Sequence, residues 1–155
     1  GLWLALGYLV AALICFVLSV LFMVPMGLLF ILGGESIMRF FVARSAELAG
    51  VTDASRAEVI RLGSIVLKII GAVQIFEAMG LVFSKALQGA GRTQFVMWVE
   101  IVVYFVVFLP IAWFLGRYFQ FGVIGAWFGY AIFLATYGLT MVLKFRRGDW
   151  QQVKL

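Results

Sequence analysis

Long apolar stretches separated by short polar ones are the feature that most constrains this sequence. A helix of about 20 residues crosses the roughly 30 Å hydrocarbon core of a membrane. Four stretches reach that length, at about residues 2–33, 62–84, 95–115 and 122–143. The first contains no charged residue and is longer than one crossing needs. The sequence therefore predicts about four transmembrane helices.

The composition agrees with a membrane environment. Hydrophobic residues make up 65% of the chain and charged residues only 12%, whereas soluble domains are about half apolar and a quarter charged. So few polar groups cannot cover a surface in water, and lipid must solvate much of the chain. We predict an all-α integral membrane protein whose residues 1–155 form one multi-pass domain. We expect this domain to lie in the cell membrane.

The only extended polar region lies at residues 35–61, between the first two spans. The apolar residues from Ile37 to Val42 alternate with Arg39 and Arg44. This pattern is typical of a short amphipathic helix at the membrane interface. We expect the first span to end at Gly33-Gly34 and this interfacial helix to follow it.

Charge and residue usage exclude several classes of function. The formal net charge is +5, but the basic residues form no dense run outside the tail at 144–155, so we expect no nucleic-acid partner.

Basic residues of cytoplasmic loops orient membrane proteins, so the tail predicts a cytoplasmic C-terminus, with the 35–61 loop outside. Cys15 is the only cysteine and histidine is absent; we expect no zinc, haem or other cofactor site.

Several polar side chains lie within the second span, where apolar residues would be expected. A carboxyl in mid-membrane costs about 2.5–3.5 kcal/mol on insertion scales and is tolerated where it faces protein or water. At about 100° per residue, one narrow stripe of this helix carries four polar side chains: Gln74, Glu77, Ser84 and Gln88. We predict that the stripe lines a polar cavity. The alternative is that the Glu77 carboxyl only hydrogen-bonds a neighbouring helix.

The third and fourth spans carry simpler features. Glu100 lies near the start of the third span, where we expect a solvated carboxylate close to the inner interface. Gly125 and Gly129 form a GxxxG pair, which predicts close approach of another helix. The chain opens directly into apolar sequence without a Met, as expected of a piece of a longer protein.

Two segments of the chain are similar to motifs of one known family. The segment QIFEA at 74–78, followed by ALQGAGRT at 86–93, resembles a Q-x-x-D/E-A element in the tenth helix of the multidrug and toxic compound extrusion (MATE) family and a loop of that family similar to A-L-R-G-x-G-D-T. Gln88 and Arg92 stand where the family prefers Arg and Asp, and Lys85 where a small residue is usual. The segment KFRRGDW at 144–150 resembles the family's basic tail. The resemblance would make this chain helices nine to twelve of a twelve-helix transporter.

The resemblance implies a function. It implies transport rather than catalysis: a Na⁺- or H⁺-coupled multidrug efflux antiporter that exports amphipathic organic cations. Glu77 would bind the coupling cation, with Gln74 as a neighbouring ligand, and the partners would be the lipid bilayer and the remaining helices of a longer transporter. Two alternatives remain open: a non-transporting membrane subunit of a larger complex, and a lipid-linked oligosaccharide flippase, which a basic cavity would favour.

Overall fold

The computed structural model describes residues 2–50 and 52–148, and almost all of these residues are helical. The elements, in chain order, are α1 (Leu2–Ala49), α2 (Asp53–Gly89), α3 (Thr93–Val102), a π-helical segment (Val103–Phe108), α4 (Leu109–Trp113), a second π-helical segment (Phe114–Tyr118) and α5 (Gly122–Arg146). The run Thr93–Tyr118 is continuous and is called the third span below. Within the described residues, four helical runs are long and apolar enough to cross a membrane, which confirms the predicted all-α class and the number of spans.

Helix α1 continues past the point where the sequence predicted its end. It has 48 residues and no break at Gly33-Gly34. Gly34 is buried against α2, where a Cβ on it would lie 3.4 Å from the Ser64 carbonyl oxygen. The predicted separate interfacial helix at 37–42 is therefore wrong, because Gly34 packs against α2 and α1 continues through that segment.

The polar region of residues 35–61 forms the adjoining ends of α1 and α2. At about 1.5 Å per residue, α1 is about 72 Å long, so it extends well beyond a membrane core of about 30 Å. Ion pairs within each helix balance charges here: Arg39–Glu35 at 2.6 Å, Arg56–Asp53 at 3.2 Å and Arg61–Glu58 at 2.8 Å. These pairs join residues three or four apart, which face each other on a helix surface.

Helix α2 is the centre of the bundle because it packs against both α1 and α5. Glycines allow both crossings. A Cβ on Gly71 would lie 2.5 Å from the Gly27 carbonyl oxygen of α1, and a Cβ on Gly138 of α5 would lie 2.6 Å from the Phe76 carbonyl oxygen. Real Cβ atoms do not approach carbonyl oxygens so closely, and the backbones meet directly at both places.

The third span packs mainly against α5. Pro110 has no N–H to donate to the carbonyl four residues earlier, so one hydrogen bond of the regular α-helix is missing here. The π-helical segment Val103–Phe108, whose turns are wider, lies directly before α4, which contains this proline. Gly125 and Gly129 of α5 face this span: a Cβ on Gly125 would lie 2.7 Å from the Leu115 carbonyl carbon, and one on Gly129 would lie 3.0 Å from the Ala112 nitrogen.

A tight turn joins α2 to the third span. Gly91 has a φ of +79°, and the amides of Gly91 and Arg92 donate to the carbonyls of Gln88 and Leu87 at 3.0 and 2.9 Å. This is the Schellman arrangement, which needs a left-handed residue after the helix. The best-buried core cluster lies beside this turn: Ala12, Phe83, Leu87, Val96, Met141 and Phe145.

The predicted basic tail begins within α5, which continues to Arg146 rather than ending at 143. The rest of that tail, from residue 149 onward, lies outside the described residues.

Candidate functional site

Glu77 lies inside the bundle, on the side of α2 that faces α5. It is half-buried and lies about 18 Å from the Gly89 end of α2, at about 1.5 Å of rise per residue. Two cavities meet at its side chain, and both lie between α2, the third span and α5. Glu77 is therefore in a position to contact whatever occupies either cavity.

The first of these, here called the aromatic cavity, has a volume of about 360 Å³. Three aromatic rings line it, from Phe108 of the third span and from Trp127 and Tyr130 of α5. Glu77 supplies the carboxylate of this lining, and aliphatic residues supply the rest: Ile70, Val73, Ala126 and Leu134. Among the described residues that line it, this cavity combines a large apolar surface with one carboxylate.

The second, here called the polar cavity, has a volume of about 220 Å³ and lies nearer the turn between α2 and α3. Its polar lining residues are Glu77, Ser84, Lys85, Gln88, Glu100 and Tyr137. Ser84 is only 5% exposed and its hydroxyl donates to the Leu81 carbonyl at 3.1 Å. The Lys85 ammonium donates to the Gln88 side-chain oxygen at 3.3 Å.

Gln74 lies apart from the other residues of the predicted polar stripe. Neither cavity that Glu77 lines is lined by Gln74. Its side chain is 9% exposed and packs toward α1, where its Cγ would lie 3.1 Å from a Cβ on Gly27. The structure thus brings Glu77, Ser84 and Gln88 to one cavity and places Gln74 against α1.

Glu100 joins this site, although the sequence predicted only a solvated carboxylate near the inner interface. It lines the polar cavity together with Glu77. One sequence signal could have found it. In an antiparallel hairpin, residues equally far from the turn lie at the same level, and Glu100 is as far from Gly91 as Val82 is. That arithmetic places Glu100 level with the polar stripe but gives no indication of which way it faces.

The aromatic residues of α5 were also missed by the sequence reasoning. Trp127, Tyr130, Phe133 and Tyr137 recur every three or four residues, which is the spacing of one helix face. Their rings follow one another, with centroids 5.7 Å apart from Trp127 to Tyr130, 5.9 Å from Tyr130 to Phe133 and 5.7 Å from Phe133 to Tyr137. The periodicity was visible in the sequence, but such a stripe is most often simple core packing.

Comparisons with known proteins agree on one family. The MatE family model matches residues 8–114. The chain is 29% identical over 136 residues to a probable multidrug resistance protein NorM of Thermotoga maritima, a match that covers 88% of this chain and 27% of that protein. It is 28% identical over 96 residues to an uncharacterized transporter of Saccharomyces cerevisiae, covering 62% of this chain and 14% of the yeast protein. No solved structure gives a significant match.

The chain therefore spans about a quarter of the length of the first relative and a smaller share of the second. The family match covers more than half of the chain, including the Glu77 segment and most of the third span. It also agrees with the four helices that are long and apolar enough to cross a membrane. On this evidence the chain belongs to the MatE family of membrane transporters.

Proposed function

We propose that this chain forms the cation-coupled part of an antiporter that exports amphipathic organic cations, and that Glu77 is the coupling carboxylate. The observation that carries the proposal is the position of Glu77 within a membrane span, at the junction of two cavities. A carboxyl in this position is costly unless a cavity or a partner stabilises it. Its placement between cavities supports a role in binding.

The polar cavity suits a small coupling cation. Carboxylate, hydroxyl and amide oxygens of Glu77, Ser84 and Gln88 line it, and oxygen atoms are the ligands that hard cations prefer. Either Na⁺ or H⁺ fits this chemistry. We assign coupling to Glu77 and leave Gln74 out of the ion site, because Gln74 packs toward α1.

The charges of the cavities favour a cationic substrate over the anionic one of a lipid-linked oligosaccharide flippase. The polar cavity has two carboxylates, Glu77 and Glu100, against the single ammonium of Lys85. Among the described lining residues of the aromatic cavity, the only charged group is the carboxylate of Glu77. A flippase for a phosphate-bearing lipid would need an excess of basic side chains, which these linings do not have.

Transport by alternating access requires more protein than this chain provides. The relative from Thermotoga maritima is matched over 27% of its length, and in secondary transporters the binding site lies between two repeated halves. We propose that further helices of a longer transporter, or other membrane subunits, cover the apolar outer face of α1. Leu21, Phe22 and Leu32 on this helix are 70%, 71% and 83% exposed.

We also propose that the C-terminal tail is cytoplasmic and that the adjoining ends of α1 and α2 are outside. The basic residues at the end of α5 support this orientation. Single cysteines at Ser55 and Gln152, in a Cys15→Ser background, test it with a membrane-impermeant thiol reagent. In intact cells we expect labelling at position 55 only; labelling at 152 alone would reverse the orientation.

The coupling role is tested by Glu77→Gln in the product of the complete gene that encodes this chain. The substitution keeps the shape and hydrogen-bonding capacity of the side chain but removes its charge. We expect export driven by a Na⁺ or H⁺ gradient to fall to background while the protein remains folded and inserted. Glu35→Gln, which alters an exposed carboxylate paired with Arg39, is the matched control and should export normally.

The result that would contradict the proposal is normal export by Glu77→Gln across a range of pH and Na⁺ concentration. The carboxyl would then act only as a hydrogen-bonding contact between helices. The interpretation of this chain as a non-transporting membrane subunit would gain support.

A further inference from the structure

We infer that the aromatic cavity is the binding site for the organic cation itself, with Phe108, Trp127 and Tyr130 as a cage for its charged head and Glu77 as its counter-charge. This inference rests on the proposed function, because it names where the exported substrate binds. The site differs from that of the coupling ion, which occupies the polar cavity.

The three rings are arranged as walls rather than as a flat stack. Trp127 and Tyr130 have centroids 5.7 Å apart and planes at 87°. Phe108 and Tyr130 have centroids 6.2 Å apart and planes at 80°. Phe108 and Trp127 are thus each nearly perpendicular to Tyr130, so the three rings enclose a space instead of forming a flat layer. Several aromatic rings around one space form the type of cage that recognises quaternary ammonium groups.

The charge and size of the cavity select the ligand class. A ring face attracts a cation within about 6 Å, and the attraction rises when water is excluded. The aromatic cavity also contains the carboxylate of Glu77, which balances one positive charge. Its volume of about 360 Å³ lies at the lower end of the range for small-molecule sites, roughly 300–1,000 Å³. The site therefore fits a compact monocation with alkyl or aryl groups.

The ring series of α5 connects the two cavities. Beyond Tyr130, the rings of Phe133 and Tyr137 continue in a stacked arrangement, with interplanar angles of 21° and 10°. Phe133 and Tyr137 line the polar cavity, and Tyr130 lines the aromatic one. Glu77 lies at both, so a coupling cation and an organic cation compete for the same carboxylate even though their remaining contacts differ.

Equilibrium binding of a matched pair of probes tests the cage. Benzyltrimethylammonium carries a positive charge, and neopentylbenzene has nearly the same shape without one. With the purified product of the complete gene in detergent and without any ion gradient, we expect the neutral probe to bind at least about tenfold more weakly than the cation. Equal affinity for the two probes would show simple filling of an apolar space and would overturn the inference.

Substitutions separate the ring contribution from packing. Trp127→Leu and Phe108→Leu keep an apolar side chain but remove the ring, and each should weaken cation binding about tenfold with little effect on the neutral probe. Trp127→Phe retains a ring and should keep most of the affinity. Trp113→Leu on the third span, where the side chain is 65% exposed, is the matched control. Phe108 and Trp127 belong to different spans, so a folding defect in one variant leaves the other informative.

The two proposals fail in different ways. If both leucine variants bind the cation like wild type while Glu77→Gln loses gradient-driven export, the aromatic site is wrong and the coupling role stands. If the leucine variants bind the cation more weakly while Glu77→Gln exports normally, the aromatic site stands and the coupling role is wrong.

Discussion

The two faces of α2 differ in how they meet their neighbours, although both carry polar side chains. On the α1 side, Gly27 and Gly71 bring the backbones together and Gln74 is buried beside them. On the α5 side, Gly80 and Gly138 also allow a close crossing, but on the N-terminal side of Gly138 α5 carries the large rings of Trp127, Tyr130 and Phe133. Those rings cannot close the space next to α2, and the cavities around Glu77 result.

The environment of a polar side chain on α2 therefore depends on which helix it faces. Gln74 and Glu77 are less than one helical turn apart, yet Gln74 faces a glycine and Glu77 faces Trp127 and Tyr130. A glycine lets the neighbouring side chain pack tightly, because no Cβ intervenes. Bulky, rigid rings leave gaps where they do not interdigitate.

The largest expected difference is functional, between Gln74 and Glu77. Glu77→Gln should abolish gradient-driven export, whereas Gln74→Leu should keep export within about threefold of wild type, since Leu has a similar volume and Gln74 lines neither cavity at Glu77. Export of a fluorescent organic cation from cells that produce the complete protein measures both. If Gln74→Leu is folded but inactive, Gln74 contributes to the ion site and the two faces are not functionally distinct.

An intermediate effect is expected from the glycine crossing on the α1 side. In Gly71→Leu the new Cβ would lie 2.5 Å from the Gly27 carbonyl oxygen and 2.9 Å from the Ile31 side chain. Overpacking of this kind costs about 1–3 kcal/mol or more, so the thermal midpoint in detergent should fall clearly, as followed by size-exclusion chromatography after heating.

Gly7→Leu is the control for that experiment. A Cβ at Gly7, also in α1, meets no heavy atom within 4 Å, and its thermal midpoint should equal that of the wild type. Equal midpoints for the Gly7 and Gly71 variants would mean that α1 and α2 do not pack through Gly27 and Gly71.

The smallest expected effect is a difference in labelling rate between neighbouring positions of α2. Val73 lines the aromatic cavity and Gln74 is buried toward α1. In a Cys15→Ser background, Val73→Cys should react several times faster than Gln74→Cys with a cationic thiol reagent, because the cavity admits it and Glu77 attracts it. Faster labelling at position 74 would place the open face of α2 on the α1 side.

Much of the fold follows from the sequence because lipid restricts the choice of structure. In a bilayer every backbone polar group needs an internal hydrogen bond, so long apolar stretches become helices. The number of spans and the turn around Gly91 were predictable for this reason. The position of Glu77 in a span was also readable, because a carboxyl is rare and costly there. The end of α1 was not predictable, since a glycine pair often ends a helix in water, whereas here Gly34 packs against α2 and the helix continues.

The sequence alone determined which residue types occur on each side of each helix, because helical periodicity is a local property of the chain. It could not determine what opposes each side. The crossings that decide this join Gly27 to Gly71 and Phe76 to Gly138, residues far apart in the chain. Only the tertiary structure therefore separated Gln74 from Glu77, brought Glu100 to the polar cavity and placed the rings of α5 beside a carboxylate. A cavity forms in the gap between helices, and the size and lining of that gap depend on the depth and rotation of each helix.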